Sequence, residues 1–347
     1  MKRIRLTVAY DGTNYCGWQL QPNGVTIEEI LNKTLSGLLK EPVCIIGASR
    51  TDSGVHALGN VAVFDTENRI PGDKICFALN QRLPEDIRVL DSEEVPLDWH
   101  PRKQNCVKTY EYKIQNCRIE VPSRRLYAHF CYFPLDVEKM QAGAAYLIGE
   151  HDFVSFCSAR HQAEETVRTL YEVSLTKGAD NIITIRLRGS GFLYNMVRII
   201  AGTLMKVGMG IYPPEQVKEI LEARDRQKAG QTAPARGLTL IGIEYEKEPE
   251  KELIGENEHW SCRLDQTELL TMGKSVLEVK RCEASELPRL IRRMVHQGYR
   301  NGADEVFVKL PEGSRVSEEE LYGLYRLEKR ADGLYGTVFA GRQDDGQ

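Results

Sequence analysis

The chain has 347 residues, 41% hydrophobic and 28% charged, an ordinary globular composition in a length too great for one small core. It holds no apolar run of the roughly 18 residues a membrane-spanning helix needs, so no membrane span is expected. Net charge is −4; residues from 249 onward carry 15 Lys and Arg against 19 Asp and Glu, which leaves the first 248 balanced. That balance argues against indiscriminate polyanion binding, although a specific phosphate-bearing partner needs only local positive charge.

The opening MKRIRLTVAYDG alternates, with Ile4, Leu6, Val8 and Tyr10 on one face and Arg3, Arg5 and Thr7 on the other. This is the pattern of a half-buried strand rather than the continuous apolar core of a signal peptide, and the protein is expected to stay in the cytoplasm. Thr26 with Glu29 forms a capping box ahead of Ile27, Ile30, Leu31, Leu35 and Leu38, which predicts a helix over 26–40. Val43–Ile46 and Val61–Phe64 read as strands on either side of a polar loop, Gly47–Gly59. A helix follows over Lys74–Arg82, a strand over Ile87–Leu90, and another over Val107–Ile114 with Tyr110, Tyr112 and Ile114 on one side.

A second round of elements begins near Asp136 with a helix to about Leu147. Strands follow at Leu170–Leu175 and Ile182–Leu187, then a helix over Leu193–Val207, a short helix from Pro213–Pro214 to Ala223, and a closing strand Leu238–Tyr245. The expected fold class is α+β: two pseudo-symmetric halves, 1–115 and 116–248, around a mainly antiparallel sheet with flanking helices. Glu246–Glu258 is charged and poor in large apolar residues, which places a linker at 249–260. A small C-terminal α/β module is expected over 261–347, with a helical stripe (Leu287, Leu290, Ile291, Met294, Val295), a strand Val306–Leu310 and a capping box at Ser317 and Glu320. Arg289, Arg292, Arg293 and Arg300 lie near that helix and offer contacts to a phosphate-bearing partner; because the module is net acidic, the preferred reading is the solvated face of a small interaction or stability domain.

Nine cysteines are scattered along the chain with no CxxC pair, so they read as buried thiols of a reducing compartment, not as a zinc knuckle. The sequence GEHDF offers His151 and Asp152 but no third ligand at suitable spacing, so no metal site is expected.

The most informative segment is GASRTDSGVHALG, 47–59, which sets Arg50, Thr51 and Asp52 among glycines and small residues between strands. An Arg-x-Asp triplet alone is equally an ordinary turn with a salt bridge. His56 in the same loop reads as a structural hydrogen-bonder. The wider order decides more. YDGTNYCGWQ (10–19), GASRTDSGVHALGNVAVF (47–64), ALNQRLPEDIRV (78–89), WHPRKQNCVKTYEYKI (99–114) and GFLYNMVRIIAGTLMKVG (191–208) occur in sequence, and together they resemble the tRNA pseudouridine synthase A family from about Arg3 to Tyr245.

The resemblance implies an isomerase that converts uridine to pseudouridine on the 3′ side of the anticodon stem-loop, tRNA positions 38–40, without metal or organic cofactor. It implies tRNA as partner and a homodimer with the RNA lying across both subunits. It also implies that Asp52 is the essential carboxylate, that Tyr110 stacks on the target base, and that Arg50 and Arg198 are active-site arginines. Ser49 and Ser53 stand where the family usually has Gly and Ala; both are small, so the backbone path is expected to survive. The residues suit the chemistry. A carboxylate can add to C1′ or C6 or remove a ribose proton, and the sequence leaves these routes open. A guanidinium near Asp52 would keep it ionised and oriented. Ala201 and Gly202, near Arg198 on a helix, are small enough for close packing against another element.

Arg102, Lys103, Lys108, Arg124, Arg125, Arg186 and Arg188 are candidates for RNA-backbone contacts, but charges of this kind more often form a solvated face, which is the favoured reading for each. Two other classes rank lower: a non-catalytic RNA binder that kept the fold, against which the presence of Asp52, Tyr110 and Arg198 argues, and a glycoside hydrolase, which needs a second carboxylate that the Asp52 loop does not supply.

Overall fold

The computed structural model describes residues 1–158 and 165–245 with their side chains and, beyond them, the backbone of five strands. Two compact units divide the chain, Met1–Glu246 and Lys247–Gln347.

In the first unit, β1 (Lys2–Tyr10) buries Ile4, Leu6, Val8 and Tyr10 and turns Arg3 and Arg5 outward, as the alternation predicts. Helix α1 (Ile27–Leu39) buries Ile27, Leu31, Leu35 and Leu39, a stripe at i, i+4. Ile30 and Leu38 only skirt that core. Thr26 caps the helix by accepting from the Glu29 backbone N–H at 3.3 Å. The reciprocal half of the predicted box gives way to a different contact, in which the neighbouring Glu28 carboxylate accepts from the Leu20 N–H at 2.7 Å. The helix stops at Lys40, which takes a left-handed conformation with φ 61°.

A two-residue strand, β2 (Ile46–Gly47), replaces the longer one expected over Val43–Ile46, and β3 (His56–Thr66) begins inside the expected loop, which shortens it to 48–55. Helix α2 (Ile75–Asn80) and β4 (Ile87–Val95) follow, then β5 (Cys106–Asn116), β6 (His129–Cys131), α3 (Val137–Ala145), β7 (Gly149–Asp152), β8 (Val167–Lys177) and β9 (Ile182–Gly189). Helices α4 (Met196–Gly208) and α5 (Gln216–Ala223) precede the last strand of the unit, β10 (Leu238–Tyr245). The short strands β6 and β7 carry no alternation long enough to read from sequence.

One ten-stranded sheet runs β4-β1-β3-β10-β5-β9-β8-β7, with β2 on β3 and β6 on β5. Its pairings are antiparallel except β3 with β10 and β5 with β6, so the expected mainly antiparallel sheet is present with two parallel joints. The β3–β10 joint, with Thr239 opposite His56 and Leu240 opposite Ala57, sets strands from the start of the unit beside its last strand. Sequence order had grouped β5 with the earlier strands, yet it pairs with β10 on one edge and β9 on the other. This seam places the loop preceding β3 close to elements from the second half of the unit.

In the second unit, β11 (Ser261–Asp265) pairs antiparallel with β12 (Lys274–Arg281), which pairs parallel with β13 (Glu305–Lys309); β14 (Tyr325–Arg330) and β15 (Gly333–Val338) form a separate antiparallel pair. The expected strand at Val306–Leu310 coincides with β13. The linker, the 287–295 helical stripe with its arginines, and the Ser317–Glu320 box lie outside the described residues.

The thiols differ from expectation. Of the cysteines described with side chains, only Cys76, Cys131 and Cys157 are buried; Cys44 is exposed, and Cys16, Cys106 and Cys117 are half-buried. All seven are unpaired, as a scattered set of thiols predicts, but burial was not legible from spacing alone. Among the described residues, no helix is long and apolar enough to cross a membrane.

Candidate active site

The loop 48–55 is held from below by a buried polar network. Asn60, fully buried on β3, accepts from the Ser49 N–H at 3.3 Å and donates to the Ser49 carbonyl at 3.0 Å and to the Tyr10 hydroxyl at 3.3 Å. Tyr10 in turn shares a 2.7 Å hydrogen bond with the Thr51 hydroxyl. Both ends of these bonds are buried, so the network fixes the loop backbone rather than merely decorating it.

The YDGTNYCGW segment closes over the same loop. The Trp18 N–H donates to the Thr51 carbonyl at 3.0 Å. Gly17 has φ +85°, and a Cβ there would lie 2.6 Å from that carbonyl, so only glycine lets the two segments meet. A turn bond from Val55 N–H to the Asp52 carbonyl, 3.1 Å, closes the backbone around residue 52. Ser53 adds a bond from its hydroxyl to the Tyr15 carbonyl at 3.2 Å. The Ser49 hydroxyl lies beside the Tyr110 phenol without a hydrogen bond of normal geometry. The loop thus accommodates both serines.

Asp52 meets Arg198, 146 residues further along the chain: Nη1 donates to Oδ2 at 3.0 Å, with side chains 20% and 17% exposed. Arg198 sits in the first turn of α4 between buried Val197 and Ile199. Its Nε donates to the Ala233 carbonyl at 2.8 Å, and Nη1 also donates to Asn195 Oδ1 at 2.7 Å. Burial pushes the Asp52 carboxyl above its usual range, and the Arg198 hydrogen bond and charge only partly reverse the shift.

The segment carrying Ala233 packs against α4 because Gly202 has no side chain: a Cβ there would fall 1.9 Å from the Gln231 carbonyl oxygen. This is the close approach that small residues at 201 and 202 predict. Gly202→Ala would ordinarily gain about 1 kcal/mol in helix propensity. Here the clash is with backbone and outweighs that gain, so the variant is expected to lose stability toward the upper end of the ~1–3 kcal/mol typical of overpacking. Thermal unfolding measures it, and an unchanged Tm would contradict the packing.

Tyr110 stands on β5 between Leu240 of β10 and Leu187 of β9 in register. It is only 8% exposed, and Phe192 covers it edge-on at 4.9 Å between ring centroids. Burial pushes its phenol up to about 12; the Ser49 hydroxyl opposes this, and the Asp52 charge adds to it. The structure therefore brings Asp52, Arg198 and Tyr110 together, and Tyr110 belongs to the core as well as to the site. Arg50 is exposed at the head of the loop, two residues before Asp52.

His56 is nearly buried; its Nδ1 accepts from the Gly12 N–H at 3.1 Å and its Nε2 faces the Leu126 carbonyl at 2.9 Å. Nδ1 also lies 3.1 Å from Asp11 Oδ1, so the ring is held between the Asp11–Gly12 turn and the Leu126 carbonyl, a structural role. His151 faces the Ile148 carbonyl, while Asp152 engages Thr166 at 2.6 Å and Arg224 at 3.3 Å. Among the described residues, no group of three or more His, Cys, Asp and Glu is placed to hold a metal.

The basic candidates separate on geometry. Arg186 pairs with Glu111 at 2.8 Å and Arg188 with Glu244 at 3.1 Å across strands, and Arg124 pairs with Asp180 of the β8–β9 turn at 3.0 Å, so these read as surface ion pairs. Lys108 reaches the Ala48 carbonyl at 3.2 Å and ties β5 to the loop; burial lowers its pKa. Arg102 and Lys103 are exposed. Arg125 and Arg236 line a cleft of about 370 Å³ with Glu120, Leu126, Thr13 and Gly54, and the last of these lies two residues past Asp52. Arg236 and the whole 229–237 segment escaped the sequence reading, since the latter contributes mainly backbone carbonyls.

A carboxylate buried against a guanidinium is an arrangement suited to a nucleophilic or acid–base centre, and the loop that carries it also contributes Gly54 to a cleft lined by Arg125 and Arg236. Comparison with known proteins narrows that class. The sequence model of the family described as tRNA pseudouridine synthase matches residues 6–102 and 144–246. Proteins named tRNA pseudouridine synthase A from Brevibacillus brevis and Ruminiclostridium cellulolyticum are each 48% identical over 245 residues, and one from Geotalea uraniireducens is 45% identical over the same length. Each alignment covers 71% of this chain and 100% of the relative. The chain belongs to the tRNA pseudouridine synthase family.

Proposed function

We propose that this protein isomerises uridine to pseudouridine in the anticodon stem-loop of tRNA, with Asp52 as the reacting carboxylate, Arg198 holding it, Tyr110 stacking on the target base and Arg50 lining the entrance. The observation that carries this reading is the Asp52–Arg198 pair, which joins the 47–59 loop to α4 within the region shared end to end with the relatives.

The reaction breaks C1′–N1, turns the base, and forms C1′–C5; the C5 proton is lost to solvent and N1 gains one. A carboxylate can begin it by adding to C1′ or C6 or by taking a ribose proton, with Arg198 keeping the oxygen charged and aimed in each case. The target base has to leave its stack, at a cost of a few kcal/mol that an aromatic face offsets. For that face to open, Phe192 moves off the Tyr110 ring. Phe192 lies in the non-helical stretch before α4, so the movement disturbs no helix or strand.

Arg102, Lys103, Arg125 and Arg236 are the arginines and lysines proposed to meet RNA phosphates. A homodimer acting in the cytoplasm completes the reading; the family resemblance supports the dimer. The experiment is tritium release from an anticodon-arm RNA containing 5-tritiated uridine, incubated with the purified protein. Release together with pseudouridine on the 3′ side of the loop is expected; RNA binding without release would favour a non-catalytic RNA binder.

A further inference from the structure

Residue 195 carries features that α4 does not need. Asn195 is the N-cap, yet it has φ 61° and ψ 7°, a left-handed conformation that L residues other than Asn and Asp rarely adopt. A capping Asn ordinarily has an extended backbone and accepts from an N–H in the first helical turn. Asn195 makes no such bond. Its amide is used elsewhere: Oδ1 accepts from Arg198 Nη1 at 2.7 Å, and Nδ2 donates to Ser158 Oγ at 2.9 Å. Ser158 is held in turn by its own N–H, which donates to the Tyr194 carbonyl at 3.1 Å.

Arg198 Nη1 has two hydrogens. One goes to Asn195 and the other to Asp52, while Nε is taken by the Ala233 carbonyl. The Ala233 bond fixes where the guanidinium sits; the amide oxygen fixes how it is rotated, and so where the second hydrogen of Nη1 points. A helix start with a strained residue, no cap bond and a doubly bonded side chain aimed at the carboxylate's partner is a local departure of the kind that marks function.

We propose that Asn195 is a positioning residue for the reaction, its amide aiming the Arg198 guanidinium at the Asp52 carboxylate. The proposal rests on the reading of Asp52 as the reacting group. It differs from a purely conformational role in one respect: glycine satisfies the backbone at 195 better than asparagine but carries no amide.

The test uses the full-length protein and the tritium-release assay, with kcat, KM, Tm and the pH profile of kcat read for Asn195→Gly, Asn195→Asp and Asp52→Asn. Asn195→Gly is expected to keep its Tm and its KM within severalfold and to lose about 10- to 100-fold in kcat, the scale of a sub-ångström to ångström misalignment. The charged and titratable groups facing Asp52 are Arg198 from α4 and Tyr110 from β5. With Arg198 no longer aimed, the acid limb of the glycine variant moves to higher pH. Asn195→Asp keeps an acceptor at the same place and recovers part of kcat, but its added anion competes for the guanidinium and also moves the acid limb upward. Wild-type kcat and an unmoved acid limb in Asn195→Gly, with Asp52→Asn inactive, would overturn the proposal. So would equal losses in both Asn195 variants with no movement of the limb, which is the signature of a structural role. An active Asp52→Asn would overturn the catalytic reading of residue 52 and the inference with it.

Discussion

Asp52→Ala is expected to lower pseudouridine formation by on the order of 10⁴-fold or more while leaving tRNA affinity within severalfold. The loop does not depend on this side chain, since Asn60, Tyr10 and the Trp18 N–H hold its backbone through residues 49 and 51. Truncation therefore removes the oxygen proposed to react without moving its neighbours. Arg198 keeps two acceptors, Asn195 Oδ1 and the Ala233 carbonyl, so the half-buried cation is not stranded and the variant folds. Removing an anion near a surface proposed to receive a polyanion does not weaken phosphate contacts. Tritium release and a filter-binding isotherm on the same preparation separate the two effects. Full activity in the variant would eliminate every route that begins at Asp52.

The wild-type pH profile follows from the same carboxyl. Its folded-state pKa is raised, burial outweighing Arg198. On the proposed role the reactive form is the anion, so activity is complete well above that pKa and falls as pH drops through it. The acid limb of kcat is thus expected above the usual carboxylate range rather than near or below it.

Much of this arrangement is legible in the sequence because it depends on local pattern. The alternation of β1, the apolar stripe of α1 and the small pair Ala201–Gly202 each predict a burial that the structure shows. The glycine-rich loop announces a tight backbone, and the ordered blocks announce the family. What sequence pattern does not carry is the partner across the fold. Nothing in the spacing of residues 52 and 198 says that the β3–β10 joint will set them 3.0 Å apart; the family resemblance, not periodicity, paired them.

Backbone acceptors are equally silent. The 229–237 segment contributes the Ala233 carbonyl to Arg198 and the Pro234 carbonyl to the Tyr112 hydroxyl at 2.9 Å, and no side-chain pattern signals either. Boundaries shift for similar reasons. The helix predicted from Leu193 starts at Met196 because Asn195 turns left-handed in order to reach Arg198 and Ser158. Tyr110 illustrates a different limit: an aromatic on an alternating strand predicts core and the family predicts a stacking face; at 8% exposure with Phe192 over its ring the structure shows the core packing, and the stacking role stays with the proposal.

Arg198→Met should cost about 10²–10³-fold in kcat, the scale of losing one preorganised donor at a reacting oxygen. The methionine stem fills most of the same space between Val197 and Ile199, so the packing of α4 survives. It also removes the opposing charge from Asp52, leaving burial unopposed by any guanidinium. The carboxyl pKa then rises further, and the acid limb moves to still higher pH. Arg198→Lys distinguishes charge from aim. An ammonium restores much of the opposing charge, so the acid limb stays near its wild-type position. A lysine nitrogen cannot satisfy Asp52, Asn195 and the Ala233 carbonyl in the directions a planar guanidinium reaches, so most of the kcat loss remains. Single-turnover rates across the pH range for the two variants give both quantities. A methionine variant with an unmoved acid limb would mean that Arg198 does not set the ionisation of Asp52. A lysine variant with full kcat would mean that positive charge alone, without the guanidinium's geometry, suffices to hold the carboxylate.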